Sequence, residues 1–265
     1  MKSFLKRFIY QYKPKYPFGR EIRGTVEEYR TLWNDAKNTT YPEIDKYEES
    51  SGIAIDYEWF HRLALHTQIV IKKSELCYQH GRVIYSALSK YVNANNHKKI
   101  NIVEIGTARG FSAIIMSRAL KDNNQPGLIT TIDPLPHNKK ILWNCIDDNN
   151  GPRTRLELLK DYKLLIENYI AFKEGLSTDV LPQLKFNRIH FAFIDGAHDY
   201  DNVKYESEFI SKHQNIGDVI LFDDYNRIQY PSLVDAVDEF CKNKLYSKII
   251  LNGNKKRNYV IASKL

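Results

Sequence analysis

Residues 100–112 read Ile100-Asn-Ile-Val-Glu104-Ile-Gly106-Thr-Ala-Arg-Gly110-Phe-Ser112. The first half is a short apolar run of the kind that forms a buried parallel strand. Gly106 then lets the backbone turn with no Cβ in the way of a ligand, and Gly110 stands where a helix begins and offers its N-terminal amides. Three further apolar runs also end in acids: Leu128-Ile-Thr-Thr-Ile-Asp133, Ile189-His-Phe-Ala-Phe-Ile-Asp195 and Val219-Ile-Leu-Phe-Asp223-Asp224. In open α/β sheets the ligand crevice lies outside the carboxyl ends of the strands. Four acid-ended strands therefore predict one site along one sheet edge.

Outward from this unit, strands alternate with helices. Strands are expected at 100–105, 128–132, 169–173, 189–194 and 217–222, with helices at 111–120, 201–212 and 231–242. The runs 247–251 and 258–262, separated by Asn252-Gly253-Asn254, read as a hairpin closing one edge. The expectation is an α/β fold with a mostly parallel seven-stranded sheet, a C-terminal antiparallel hairpin and an N-terminal helical extension. The sheet domain is placed at 96–265, after the polar linker Asn93–Lys99. Residues 1–95 form the arm and extension, with one helix from Tyr57 and another over Tyr78–Val92. Residues 1–50 read as irregular, because Pro14, Pro17 and Pro42 break any long helix.

The chain has 265 residues, 43% hydrophobic and 27% charged, the balance of a globular protein. No apolar run approaches a spanning helix, and Lys6-Arg7 interrupts the N-terminus where a secretion signal would need an apolar core. The three cysteines, Cys77, Cys145 and Cys241, are far apart, which argues against a disulfide framework and fits a reducing cytoplasm. The net charge of +7 is local: residues 1–23 hold seven basic side chains against Glu21 alone, a net of +6, which leaves +1 elsewhere. A nucleic-acid face on the sheet domain is therefore not expected. The basic arm is interleaved with aromatics. It suits contact with a membrane surface, RNA or a partner chain, or packing on its own domain or on a second copy in a homo-oligomer.

Asp133, at the end of its strand, can accept both hydroxyls of a ribose. A strand ending in ExGxxxG rather than GxGxxG, followed by this acid, resembles the class I S-adenosylmethionine (SAM) methyltransferases, whose fold is Rossmann-like. The resemblance implies that Glu104 reaches the methionine part of SAM and Asp133 the ribose. It also implies cofactor contacts from Gly106, Thr107, Gly110, Ser112 and Asp195, and from Gly175 and Ser177 near the adenine.

Asp195, Asp223 and Asp224 would repel one another if left bare, and a hard divalent cation, Mg²⁺ or Mn²⁺, relieves this. Phe193-Ile-Asp195-Gly-Ala-His198-Asp-Tyr200 followed by Gly217-Asp-Val-Ile-Leu-Phe-Asp223-Asp224-Tyr225 resembles the metal-dependent O-methyltransferases of catechol and sugar hydroxyls. By that resemblance Asp195, Asp223 and Asp224 hold the metal, Asp195 and His198 are catalytic, and His198 is the general base. The expected reaction transfers a methyl group to a hydroxyl of a small molecule, a sugar or glycan unit, with Mg²⁺ assistance. His137, Trp143 and Arg153, in the long excursion 134–167, are candidate acceptor contacts. Two alternatives stay open: a cephalosporin-hydroxylase-like enzyme on the same scaffold, and a non-catalytic binding module.

Overall fold

The structure, a computed structural model, describes residues 18–19, 21–254 and 257–265. Of the basic arm at 1–23, for which membrane or partner contacts are expected, residues 1–17 and 20 lie outside the described residues. In chain order the elements are α1 (Val26–Lys37), α2 (Pro42–Ser51), α3 (Tyr57–Thr67), α4 (His80–Ala94), β1 (Ile100–Ile105), α5 (Phe111–Asp122) and β2 (Gly127–Asp133). A long excursion follows, with the short helix α6 (Arg155–Leu158), and then α7 (Lys163–Tyr169), β3 (Ile170–Glu174) and α8 (Ser177–Val180). The chain continues through β4 (Phe191–Ile194), α9 (Tyr200–Ser211), β5 (Val219–Phe222), α10 (Pro231–Asn243), β6 (Tyr246–Asn254) and β7 (Arg257–Lys264).

The seven strands form one sheet in the order β3-β2-β1-β4-β5-β7-β6. Strands β1 to β5 pair in parallel, whereas β7 runs antiparallel to both β5 and β6. This is the expected Rossmann-like architecture with its closing hairpin. The hairpin strands are longer than expected, because pairing continues through Asn252 to Asn254↔Arg257. The connection therefore falls at 255–256, outside the described residues, rather than at Asn252-Gly253-Asn254.

Both faces of the sheet are covered, which is why its strands read as nearly continuous apolar runs. Alternate residues face opposite ways. Ile102, Phe191, Phe193, Leu221 and Ile261 share a cluster with Ile44, Leu63, Leu88 and Ile114 from α2 to α5. Val103, Ile105, Ala192, Ile194, Ile220 and Phe222 face Val203 and Ile210 of α9 and Val237 and Phe240 of α10. The helical extension thus shares the sheet's core.

The expectation that residues 1–50 are irregular is corrected over their second half. Thr25 caps α1 in a reciprocal box: Glu28 N donates to its Oγ1 at 3.2 Å, and Thr25 N donates to Glu28 Oε2 at 2.7 Å. Pro42 begins α2 instead of breaking it, because the first turn needs no proline N–H. Gly52 ends that helix at φ 66°, a left-handed cap.

Phe191 is fully buried at the centre of the sheet. Phe191→Ala should destabilise the protein by about 3–5 kcal/mol in urea unfolding. Ile250→Ala, on the exposed side of the edge strand β6, should change stability by under about 0.5 kcal/mol. Equal effects would contradict the assigned core.

Candidate active site

The expected edge forms. The chain leaving each parallel strand is tied to its neighbour by a backbone hydrogen bond: Gly106 N to Ile132 O at 2.9 Å, Asp195 N to Ile105 O at 2.9 Å, and Asp223 N to Ile194 O at 3.1 Å. These ties align Glu104, Asp133, Asp195 and Asp224 along one rim. Gly106 has φ 98°, and a Cβ there would lie 2.0 Å from the Asp195 carbonyl oxygen. The turn after β1 therefore presses its backbone against the loop after β4, and only glycine permits this. Gly110, at φ 91°, starts α5.

Glu104 is fully buried. Thr131 Oγ1 donates to its Oε2, while Oε1 has no partner among the described residues. Burial raises its pKa to about 7, although the Ser112 and Thr131 hydroxyls pull the other way. The Thr107 hydroxyl meets that of Thr131, extending the same polar chain. Asp133 Oδ2 accepts from Ala108 N at 2.7 Å, and its Oδ1 accepts from Leu135 N at 2.6 Å. Burial raises this acid, opposed by Arg155. Gly175 N donates to Asp133 O at 3.0 Å. Ser177 Oγ donates at 2.5 Å to Glu206 Oε1. Glu206 is a buried acid on α9 that the sequence reading did not single out. A buried carboxylate oxygen without a donor is costly. Glu104 Oε1 thus suits a cofactor that brings an ammonium group, as the methionine end of SAM does.

At the ends of β4 and β5, Asp195, His198 and Asp224 each offer a ligand atom, all within 4.8 Å of one another. His198 Nε2 lies 3.2 Å from Asp224 Oδ2 and 3.9 Å from Asp195 Oδ1, yet makes no directed hydrogen bond among the described residues. Burial alone would lower the His198 pKa, but the two carboxylates outweigh it and raise the pKa to about 10. The ring also packs on Tyr230, with centroids 4.1 Å apart.

Asp223, expected beside these groups, is turned away from them. Asp224 adopts φ 54°, so the two adjacent carboxylates point in different directions. Asp223 is 1% exposed, accepts from Asp224 N at 2.6 Å, and faces His80 Nδ1 at 3.7 Å. Burial holds its pKa well above the usual carboxylate range.

Arg257, at the start of β7, was not anticipated. Its Nε donates to Asp224 Oδ1 at 2.6 Å and stands 3.5 Å from Asp223 Oδ1, and its Nη1 donates to Cys77 O at 2.8 Å. Burial would raise the Asp224 pKa, but His198 and Arg257 hold it well below the carboxylate range. The only signal for Arg257 in the sequence was its place just after the hairpin turn.

Of the residues expected to contact an acceptor, Trp143 is fully buried in a small cluster with Cys145 and Leu158. Its Nε1 donates to Arg153 O at 2.8 Å. Arg153 is 3.7 Å from Asp147. His137 meets the buried guanidinium of Arg155, which donates through Nε to Ala108 O at 2.9 Å. The excursion after β2 is thereby fastened to the glycine turn.

A family described as a methyltransferase domain matches residues 103–225. No curated protein matches the chain. Among solved structures, the O-methyltransferase NovP is similar at a TM-score of 0.55 and 16% identity, over 77% of this chain and 88% of that one. The O-methyltransferase TomG from Streptomyces achromogenes, solved with SAM, is similar at 0.53 and 18%, over 81% and 93%. An O-methyltransferase from Bacillus cereus, in complex with SAH, is similar at 0.52 and 16%, over 91% and 100%. At these identities the likeness is one of fold. No helix among the described residues is long and apolar enough to cross a membrane. Residues 103–225 thus match a methyltransferase-domain family, and the chain shares the Rossmann-like fold of these O-methyltransferases.

Proposed function

We propose that the protein transfers a methyl group from SAM to a hydroxyl of a small molecule, a sugar or glycan unit, with help from a divalent cation. The observation that carries this reading is the convergence of Asp195, His198 and Asp224 beside the glycine turn. That turn is where the cofactor would bind, so the acidic group would sit next to the transferable methyl.

Glu104 would receive the ammonium of the cofactor and Asp133 its ribose hydroxyls, with Gly106, Thr107, Gly110 and Ser112 shaping the turn between them. Gly175, tied to the Asp133 carbonyl, and Ser177 would border the far end of the same crevice. Asp195 and Asp224 would hold the cation. Their oxygens suit Mg²⁺ or Mn²⁺. The bound cofactor supplies a methyl on a positively charged sulfur, and the cation polarises an acceptor hydroxyl. Arg257 occupies Asp224 Oδ1 and so leaves Oδ2 facing Asp195 and His198. His198 is the proposed base. Clamped by two carboxylates it keeps its proton at neutral pH. With a cation held by Asp195 and Asp224, the His198 nitrogen would be freed from both carboxylates and would stand ready to accept the acceptor's proton. Asp223 supports from behind: it receives the Asp224 N–H and shares the charge of Arg257.

Two outcomes check these roles. His198→Gln should lower kcat by roughly 10²–10⁴ while SAM affinity in calorimetry stays unchanged. Asp224→Asn should lose Mn²⁺ binding, read by electron paramagnetic resonance, along with transfer. Full activity of Asp224→Asn in EDTA would remove the cation from the account.

Glu104 gives a pH test. Its folded pKa, about 7, exceeds the ordinary 4.5, so the native state holds a proton that the unfolded chain releases. That contribution is fully present below about pH 4.5 and is lost as pH rises through about 7. Between pH 5 and 8 the cofactor-free protein should therefore lose up to about 3 kcal/mol through this group. Glu104→Gln should lose correspondingly less in urea unfolding and bind SAM roughly tenfold more weakly. An identical pH dependence in the two proteins would contradict the burial argument.

A further inference from the structure

Away from the strand ends, a pocket of about 580 Å³ opens between α3, α5 and the start of α7. Its walls carry Arg62 from α3, Arg118 and Lys121 from α5, and Lys160 and Lys163 before and at the start of α7, against one acid, Asp161. Two of these cations are compensated: Arg118 by Asp122 at 2.6 Å, and the exposed Lys163 by Glu167 at 3.6 Å. Arg62, Lys121 and Lys160 make no ion pair among the described residues. The residues after 23 carry a net charge of only +1, so this concentration does not follow from general basicity. Like charges gathered in one concavity repel unless an anion joins them.

The pocket also has an aromatic side. Trp59 and Tyr162 meet edge to face at 5.7 Å, and the Arg118 guanidinium lies over Trp59 at 5.0 Å. Aromatic rings can cover the apolar face of a ring-shaped ligand while cations take its anionic oxygens. Arg118 and Lys121 stand seven and ten residues into α5 from Phe111. At 1.5 Å per residue that is roughly 10–15 Å from the cofactor turn, a span that calls for more than one sugar ring.

We propose that this pocket binds an anionic sugar unit, bearing phosphate or carboxylate, of an extended acceptor whose hydroxyl is presented at the strand edge. The proposal deepens the glycan reading above and rests on it. The test is calorimetry on the full chain with glucose 6-phosphate, glucuronate and glucose, with SAM titrated in parallel. Glucose 6-phosphate, glucuronate or both should bind, and which one binds identifies the anionic group, while glucose should not. A Lys121→Glu/Lys160→Glu double variant, at two exposed positions, should weaken that binding roughly tenfold or more with SAM affinity unchanged. Should that variant also lose SAM, Arg62→Gln replaces it, with a smaller loss expected in the same direction. The proposal is overturned if neither acid binds, if glucose binds as tightly, or if the variants bind the acids as well as the parent does. Failure of SAM itself to bind the parent would count against the methyltransferase reading instead.

Discussion

Arg257 donates to Asp224 from the strand that closes the sheet, and this ion pair lets two adjacent, nearly dry carboxylates sit at the end of β5. Unpaired charges in such a place would cost several kcal/mol each, and breaking a buried pair exposes that cost. The site's geometry depends on this compensation. With Oδ1 held by the guanidinium, Asp224 presents Oδ2 to His198 and Asp195. The antiparallel run of β7 makes this possible: its first residue lies at the same end of the sheet as the last residues of β5.

A second constraint joins the two halves of the site. The turn after β1 has no room for a side chain at Gly106, because the Asp195 carbonyl fills that space. The glycine turn after β1 and the acidic group are therefore one rigid unit. Arg155 adds a third tie, fixing the excursion after β2 to Ala108 in the same turn. Placement of this kind, not intrinsic reactivity, is how such an edge would bring a methyl donor and a hydroxyl together.

Much of the fold was legible because buried parallel strands leave apolar runs and their ends leave acids. What escaped was local or distant. The helices before residue 52 depart from the expected irregular segment because Pro42 starts a helix rather than breaking one and Thr25 with Glu28 caps another. Strand β4 is shorter than its apolar run: Ile189 N donates to His213 O instead of joining the ladder. In the site, Glu104, Asp133, Asp195 and Asp224 fall along one rim as their strand ends implied. Which of Asp223 and Asp224 faces Asp195 was not readable, because it turns on a single positive φ. Arg257 lies 33 residues from Asp224, and the antiparallel pairing of β7 with β5 brings them together.

On the proposed reading, one sheet edge would take SAM at the Glu104–Asp133 end and a divalent cation at the Asp195–Asp224 end. Calorimetric titration of the unmodified protein with SAM, with and without Mn²⁺, tests it most directly. The account predicts saturable binding of SAM in both conditions and a separate Mn²⁺ binding event. No SAM binding in either condition would contradict it.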